Sequence, residues 1–115
     1  MLRIDDYRFG EMVIAGKSYR SDLKIINGEV VPNWWRKEGH RLSLEDLSDV
    51  LEARPEVLVV GTGAYGVMKV PESVKKALAE RGIKLEALPT AKAAARFNEL
   101  FATGKRVAGA FHLTC

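Results

Sequence analysis

A glycine-rich turn after a short apolar run is the part of the chain best suited to chemistry. Val57-Leu58-Val59-Val60 leads into Gly61-Thr62-Gly63-Ala64-Tyr65-Gly66, which matches the dinucleotide-binding pattern G-x-G-x-x-G. That pattern binds a pyrophosphate only when a helix begins inside it, because the free amides of the helix N-terminus face the ligand. Here a helix can begin no earlier than about Pro71. The sequence therefore predicts no NAD and no other cofactor.

The same turn could still hold a small anion. Sites in open α/β sheets lie beyond the carboxyl ends of strands, where the amides of Gly61 and Gly63 and the hydroxyl of Thr62 would be available. Thr90 follows Pro89 and is predicted to be the N-cap of a neighbouring helix. If the two strands are parallel and Thr90 also contacts a ligand, Thr62, Gly63 and Thr90 would converge at this edge, where Gly61 is a further candidate ligand-binding residue. The structural alternative is a tight turn whose glycines have positive φ, beside an ordinary helix cap.

A second candidate site lies in an irregular segment, residues 32–42, that carries both tryptophans. Arg36 could bind a carboxylate or phosphate with two parallel hydrogen bonds. An exposed tryptophan is typical of a binding hot spot. Trp35, Arg36 and His40 are therefore candidate ligand-binding residues. The structural alternatives are that the tryptophans fill a core and its rim, and that Arg36 forms a surface ion pair.

The remaining reactive side chains give little indication of catalysis. His40 and His112 are the only imidazoles and Cys115 is the only thiol, and their spacing matches no zinc-binding motif. His112 lies in an apolar run, which favours a structural histidine. The nucleophile elbow G-x-S-x-G is absent. The sequence therefore predicts no metal site and no disulfide, and it favours a protein without catalytic activity.

Composition and charge restrict the class of protein. The chain has 115 residues, of which 47% are apolar and 29% charged, which is typical of a single globular domain spanning residues 1–115. The net charge of +3 is dispersed, so we expect no nucleic-acid partner. No apolar run approaches the length of about 20 residues that spans a bilayer, and the early charges of residues 3–6 do not resemble a signal peptide. We expect a cytoplasmic protein with no membrane partner.

The N-terminal third is predicted to consist of short antiparallel strands joined by tight turns. Asn27-Gly28 is the strongest hairpin signal in the chain, and Ala15-Gly16-Lys17 is a second turn. An unpaired edge strand in this region would allow a homodimer, so monomer and homodimer both remain open. The predicted strands are Tyr7–Gly10, Met12–Ile14, Ser18–Arg20, Leu23–Ile26 and Glu29–Val31.

From Ser43 onward, helices and strands alternate. The apolar spacing predicts a first helix that starts at a Ser43–Asp46 capping box and ends before Pro55. Right-handed crossovers would then give a largely parallel sheet covered by helices on both faces. The N-terminal hairpins would extend this sheet or form an extra layer. The other predicted elements are helices from Pro71 to about Gly82 and from Ala91 to about Ala102, and strands Val57–Val60, Ile83–Leu88 and Arg106–Leu113.

Several blocks of residues together resemble a known family. They are Trp34-Trp35-Arg36-x-x-Gly39-His40, Val57–Gly63, Thr90 with Ala93, Phe97-Asn98-x-Leu100, Gly104-x-Arg106-Val107-Ala108, and Phe111–Cys115. In this order they resemble the small α/β domain family that includes adipogenesis-associated domain-containing protein and mitochondrial complex I assembly factor 3-like proteins. The resemblance implies a three-layer fold with a central mixed five-stranded sheet, one strand antiparallel to the rest. It also implies a role in assembly or regulation, without an established enzymatic activity.

Two hypotheses of function follow. The preferred one is a non-catalytic binding or assembly module that holds a partner protein or small ligand at the loops 34–40 and 61–66. The alternative is an anion- or metabolite-binding protein, or a small enzyme, with its site at Gly61–Gly66 and with His40 or His112 as acid or base. The burial of the tryptophans and of the glycine turn distinguishes the two hypotheses. Exposed tryptophans and a closed glycine turn favour the module, whereas an open pocket containing a histidine favours the enzyme.

Overall fold

A computed structural model describes residues 2–115, which form two β-sheets. The smaller sheet is antiparallel and has the order β1-β2-β3, with β1 Ile4–Arg8, β2 Glu11–Ile14 and β3 Lys17–Tyr19. The larger sheet has the order β5-β4-β8-β6-β7. Its strands are β4 Leu23–Ile26, β5 Glu29–Val31, β6 Val57–Thr62, β7 Lys84–Leu88 and β8 Val107–His112. The helices are a 3₁₀ turn Leu44–Leu47, α1 Ser48–Ala53, α2 Glu72–Glu80 and α3 Thr90–Ala102.

The five-stranded sheet is mixed, with a single strand opposed to the rest. β6 is parallel to both β7 and β8. β4 is antiparallel to both of its neighbours, β8 and β5. Parallel neighbours need long crossovers, which α2 and α3 supply in chain order. The predicted α/β class and the one antiparallel strand are confirmed.

The central sheet is covered on both faces, which gives three layers. Every residue of β6 and β8 is buried, as expected for parallel strands covered on both faces. On one face α3 packs through Phe97 and Leu100, and the small sheet adds Met12 and Ile14 to the same core. On the other face α1 and α2 pack through residues such as Val50. Helices therefore cover both faces, and the N-terminal hairpins form an extra layer.

The predicted Asn27-Gly28 turn forms and joins β4 to β5. Asn27 and Gly28 both have positive φ, 52° and 75°, which is the requirement of a two-residue type I′ turn. β4 and β5 therefore pair directly across this turn.

The helix starts differ in detail from the prediction. The segment after Ser43 first forms a 3₁₀ turn and becomes α-helical only at Ser48. The Asp46 carboxylate accepts hydrogen bonds from both the amide and the hydroxyl of Ser43, at 2.9 and 2.8 Å. Arg54 ends α1 in the left-handed conformation, with φ 51°. Pro71 precedes α2 as its cap and is not its first residue.

Candidate functional site

The two tryptophans of the irregular segment have opposite environments. Trp34 is 6% exposed, its indole Nε1 donates to the carbonyl of Asp46 at 3.0 Å, and its backbone amide donates to the carbonyl of Asp22 at 2.8 Å. Trp35 is 85% exposed. Trp34 therefore anchors the segment in the core beneath α1, and Trp35 is presented to solvent from an anchored backbone.

Arg36 is held within the protein. Its side chain is 4% exposed, and Nη1 donates to Asp22 Oδ2 at 2.6 Å. Nε and Nη2 donate to the carbonyl of Gly39 at 3.2 and 2.8 Å. The guanidinium also lies over the Trp34 ring, 4.8 Å from its centroid. Arg36 thus fixes the segment that carries Trp35, and an external anion would have to replace these bonds.

Asp22 is the centre of this network. Its Oδ2 also accepts from His112 Nδ1 at 2.8 Å, and its Oδ1 accepts from the Leu113 amide at 2.7 Å. Burial opposes ionisation of the carboxyl. The hydrogen bonds from His112, Leu113 and Arg36 outweigh that effect, so the pKa of Asp22 lies below its ordinary value. The sequence pattern does not reveal Asp22, because its partners Arg36 and His112 lie 14 and 90 residues away.

His112 lies at the end of the central strand and is 5% exposed. Its Nδ1 lies 2.8 Å from Asp22 Oδ2, which can only accept a hydrogen bond, and 3.0 Å from Arg36 Nη2, which can only donate one; the other ring nitrogen is Nε2. That buried Nε2 has no hydrogen-bond partner among the described residues. The His40 ring lies edge-on, 5.9 Å away between centroids, and Cys115 Sγ is 3.6 Å from His40 Nε2. Within residues 2–115, no three His, Cys, Asp or Glu side chains are grouped as metal ligands.

The backbone amides of the glycine turn already donate hydrogen bonds within the protein. Gly63 N–H donates to the Thr90 hydroxyl at 2.9 Å, Ala64 N–H to the Thr114 carbonyl at 2.7 Å, and Gly66 N–H to the Gly63 carbonyl at 3.2 Å. Thr62 is 8% exposed. An anion at this turn would therefore compete with existing hydrogen bonds.

Thr90 does not cap its helix through its side chain, so that prediction is wrong. It is completely buried, and its hydroxyl accepts from Gly63 N–H and donates to the His112 carbonyl at 2.6 Å. The side chain joins the glycine turn to the end of β8. The predicted convergence of Thr90 with Gly63 is real, but its observed contacts are internal.

The first two glycines of the turn are required for different reasons. A side chain at Gly61 would bring Cβ within 2.9 Å of both the Thr90 hydroxyl and the Phe111 ring. Gly63 has φ +105°, and a Cβ there would lie 2.5 Å from the Cys115 carbonyl oxygen. Close packing therefore excludes a side chain at Gly61, and both backbone conformation and packing exclude one at Gly63.

The two predicted loops lie at one edge of the molecule, and residues 113–115 link them. Thr114 accepts from the amide of Ala64 in the glycine turn, while Cys115 contacts His40 in the tryptophan segment. The His40 carbonyl also accepts from the Lys69 amide at 2.7 Å, which joins the segment to the chain after the turn. Trp35, Arg36 and His40 thus share an edge with Gly61, Thr62, Gly63 and Thr90.

Three exposed aromatic residues border residues 113–115, and we call them the aromatic edge: Phe9, Trp35 and Tyr65. They are 58%, 85% and 76% exposed. Phe9 and Tyr65 have ring centroids 6.3 Å apart. Trp35 and Thr114 line a cleft of about 310 Å³ together with Arg20 and Arg36. This edge presents large apolar side chains on a hydrogen-bonded frame.

None of the helices in residues 2–115 combines the length and the apolar character that crossing a membrane requires.

The chain matches one family of known proteins and is similar to several relatives and solved structures. Residues 4–112 match the family described as "Protein of unknown function (DUF498/DUF598)". Over 110 residues the chain is 34% identical to the human protein NADH dehydrogenase (ubiquinone) 1 alpha subcomplex assembly factor 3, an alignment that covers 93% of this chain and 58% of that protein. Over 111 residues it is 31% identical to an uncharacterised protein of Rhodobacter capsulatus, covering 95% of this chain and 82% of the relative. The solved structure of MT938 superimposes with a TM-score of 0.83 at 30% identity, covering 100% of both chains.

Proposed function

Because the chain belongs to the DUF498/DUF598 family and is homologous to a human assembly factor, we propose that it is a non-catalytic module that binds a partner protein in an assembly role. The resemblance seen in the sequence agrees with this family. The chain spans 58% of the length of the human relative, so the proposal concerns the function of this domain and leaves the identity of the partner open.

The observation that carries the proposal is the exposure of Trp35 on a fixed backbone. Its neighbours on both sides, Trp34 and Arg36, are buried and bonded. A large aromatic side chain that is already positioned loses little conformational entropy on binding, and tryptophan is enriched among residues that dominate binding energy. We assign Trp35 to direct contact with the partner, with Phe9 and Tyr65 as flanking contacts.

The other predicted site residues are proposed to support that contact. Arg36 positions the tryptophan segment through Asp22, and His40 lies at the rim beside Cys115. Gly61, Thr62, Gly63 and Thr90 shape the turn that carries Tyr65. The occupied amides of this turn argue against the alternative of a small anion bound there, and we expect phosphate to leave the melting temperature unchanged in a thermal-shift titration.

A site-specific photo-crosslinking experiment tests the partner-binding proposal. A photoreactive phenylalanine analogue is placed at position 35, at position 65, and at Lys76, an exposed residue of α2, as the control. We expect the same discrete protein adduct from positions 35 and 65 in cells, and its absence from position 76.

The adduct is then identified, and binding of the purified partner is measured. Trp35→Ala should weaken the affinity at least about tenfold, as hot-spot truncations do. Equal adducts from all three positions, or an affinity unchanged by Trp35→Ala, would overturn the assignment of the aromatic edge.

A further inference from the structure

A second cleft lies at the other end of β8 from the aromatic edge. It has a volume of about 210 Å³, smaller than the roughly 300 to 1,000 Å³ of drug-sized pockets, so it suits a small ligand. Its lining is mostly apolar, and its polar side chains are Asn27, Lys105 and Arg106. The apolar side chains are Ile26, Ala53, Pro55, Phe101, Val107 and Ala108.

The local sequence explains why this cleft stays open. The Asn27-Gly28 turn needs positive φ at Gly28, and the missing side chain leaves the Phe101 ring uncovered, 3.7 Å from where a Cβ would lie. On the opposite wall α1 ends at Ala53 and is followed by Arg54 in the left-handed conformation, so the small side chains of Ala53 and Pro55 line the cleft there. Phe101 packs with the core on the α3 face. The cleft therefore lies between the end of α3 and the end of α1.

The rim of the cleft is cationic. Lys105 and Arg106 both line it, and Arg106 is held in place because its Nη1 donates to the Arg54 carbonyl at 2.5 Å. The Glu56 carboxylate lies nearby, accepts from the Arg106 amide at 2.9 Å and offsets part of this positive charge. That hydrogen bond first, and then the charges of Arg106 and Lys105, hold the pKa of Glu56 below its ordinary value. The same end of the sheet carries Arg54 and Arg81, which line a neighbouring cleft.

We propose that this cleft binds a small amphipathic anion, an acyl carboxylate. The acyl chain would lie against Phe101 and Pro55, and the carboxylate would face Lys105 and Arg106. Apolar walls gain from removing a hydrocarbon chain from water, and charged donors at the rim form the stronger class of hydrogen bonds with a carboxylate. The site is separate from the aromatic edge and does not depend on the proposed partner.

Three probes separate the contributions of chain and head group: octanoate, octanol and acetate. Octanoate is kept below its micelle-forming concentration and octanol below its solubility limit, and each probe is titrated into the untagged protein while amide NMR shifts are recorded. We expect saturable binding of octanoate with shifts centred on Gly28, Phe101 and Val107, binding of octanol weaker by about tenfold, and no saturable binding of acetate. Equal affinities for octanoate and octanol, or shifts centred elsewhere, would overturn the proposal.

Matched variants test each wall. Ala53→Leu should fill the cleft and abolish binding of both octanoate and octanol. Lys105→Ala should weaken octanoate binding about tenfold and leave octanol unchanged. Arg81→Ala, a control at a cation of the neighbouring cleft, should change neither. Octanoate binding that survives Ala53→Leu, or that responds equally to Lys105→Ala and Arg81→Ala, would refute the site. Because Trp35→Ala should leave octanoate binding intact, failure here is distinct from failure of the partner-binding proposal.

Discussion

At the scale of single residues, Asp22 determines whether the tryptophan segment can stay in place. It accepts hydrogen bonds from Arg36, His112 and Leu113. Asp22→Asn would leave the Arg36 guanidinium buried without its counter-charge, so we expect a loss of about 3 kcal/mol in the free energy of unfolding, measured by urea denaturation. Asp6→Asn is the control, because the Asp6–Arg8 pair is exposed and should matter by no more than about 0.5 kcal/mol. Equal losses in the two variants would contradict the role given to Asp22.

The same carboxylate should make stability depend on pH. Because the pKa of Asp22 is lower in the folded protein than its ordinary value of 3.8, the unfolded chain takes up the proton first as the pH falls. The stabilisation is therefore present above about pH 5 and is lost as the pH falls toward the folded-state pKa. Denaturation measured between neutral and acidic pH should show a steeper loss in the natural protein than in Asp22→Asn. Parallel curves would show that Asp22 does not contribute.

Truncation of the two adjacent tryptophans should affect stability to very different extents. Trp34→Ala removes a buried ring and the hydrogen bond to Asp46, so we expect a loss of about 3 to 5 kcal/mol in the free energy of unfolding. Trp35 is exposed, so Trp35→Ala should change stability by no more than about 0.5 kcal/mol. A large loss of stability in Trp35→Ala would mean that the ring packs within the protein and is not free for a partner.

Residue types alone indicated part of this site. Trp35, Arg36 and His40 could be singled out because aromatic and charged side chains within an irregular segment are unusual. Asp22 could not, since nothing near it in the chain reveals that Arg36 and His112 converge on it. Thr90 was recognised as a polar residue at a helix start, but its contacts with Gly63 and His112 depend on how β8 and the turn pack.

At the scale of elements, Thr90 links the glycine turn to β8. Thr90→Val keeps the shape of the side chain but leaves the buried Gly63 amide without its acceptor, so we expect a loss of about 2 kcal/mol. Hydrogen exchange at Gly63 and Ala64 should also accelerate. Thr103→Val is the control, because that hydroxyl bonds only the Leu100 carbonyl at the end of α3. Unchanged exchange in Thr90→Val would show that the turn is held by other contacts.

Apolar periodicity predicted most helices and strands, and it failed where tertiary contacts compete with helical ones. The carbonyl of Asp46 accepts from the Trp34 indole and from Lys24. The Val50 amide, its helical partner, donates to the Asp49 side chain. The segment therefore starts as a 3₁₀ turn, although its apolar spacing is that of an α-helix. No local pattern could reveal a competitor that lies 12 or more residues away.

At the scale of the whole molecule, the polarity of β4 was the least predictable feature from residue patterns. The Asn27-Gly28 turn required β5 to pair with β4, but the pairing of β4 with β8 joins Leu23 to Phe111 across most of the chain. Only the resemblance to a family predicted that one strand of the sheet is antiparallel to the rest. That pairing builds the candidate site, because it sets Asp22, immediately before β4, beside His112, at the end of β8.

The same central strand separates the two proposed binding regions, so we expect them to act independently. β8 begins at the cationic cleft and ends beside the aromatic edge, and it is bonded on both sides by β4 and β6. Coupling between distant sites requires an element with two alternative arrangements, and a fully buried strand in a close-packed core is poorly suited to that role. Saturating octanoate should therefore leave partner affinity unchanged, and the octanoate affinity of Trp35→Ala should equal that of the natural protein. A shift in partner affinity beyond about twofold on adding octanoate, measured by titration calorimetry, would mean that the sheet transmits a change from one end to the other. Linkage then requires bound partner to shift the octanoate affinity by the same factor.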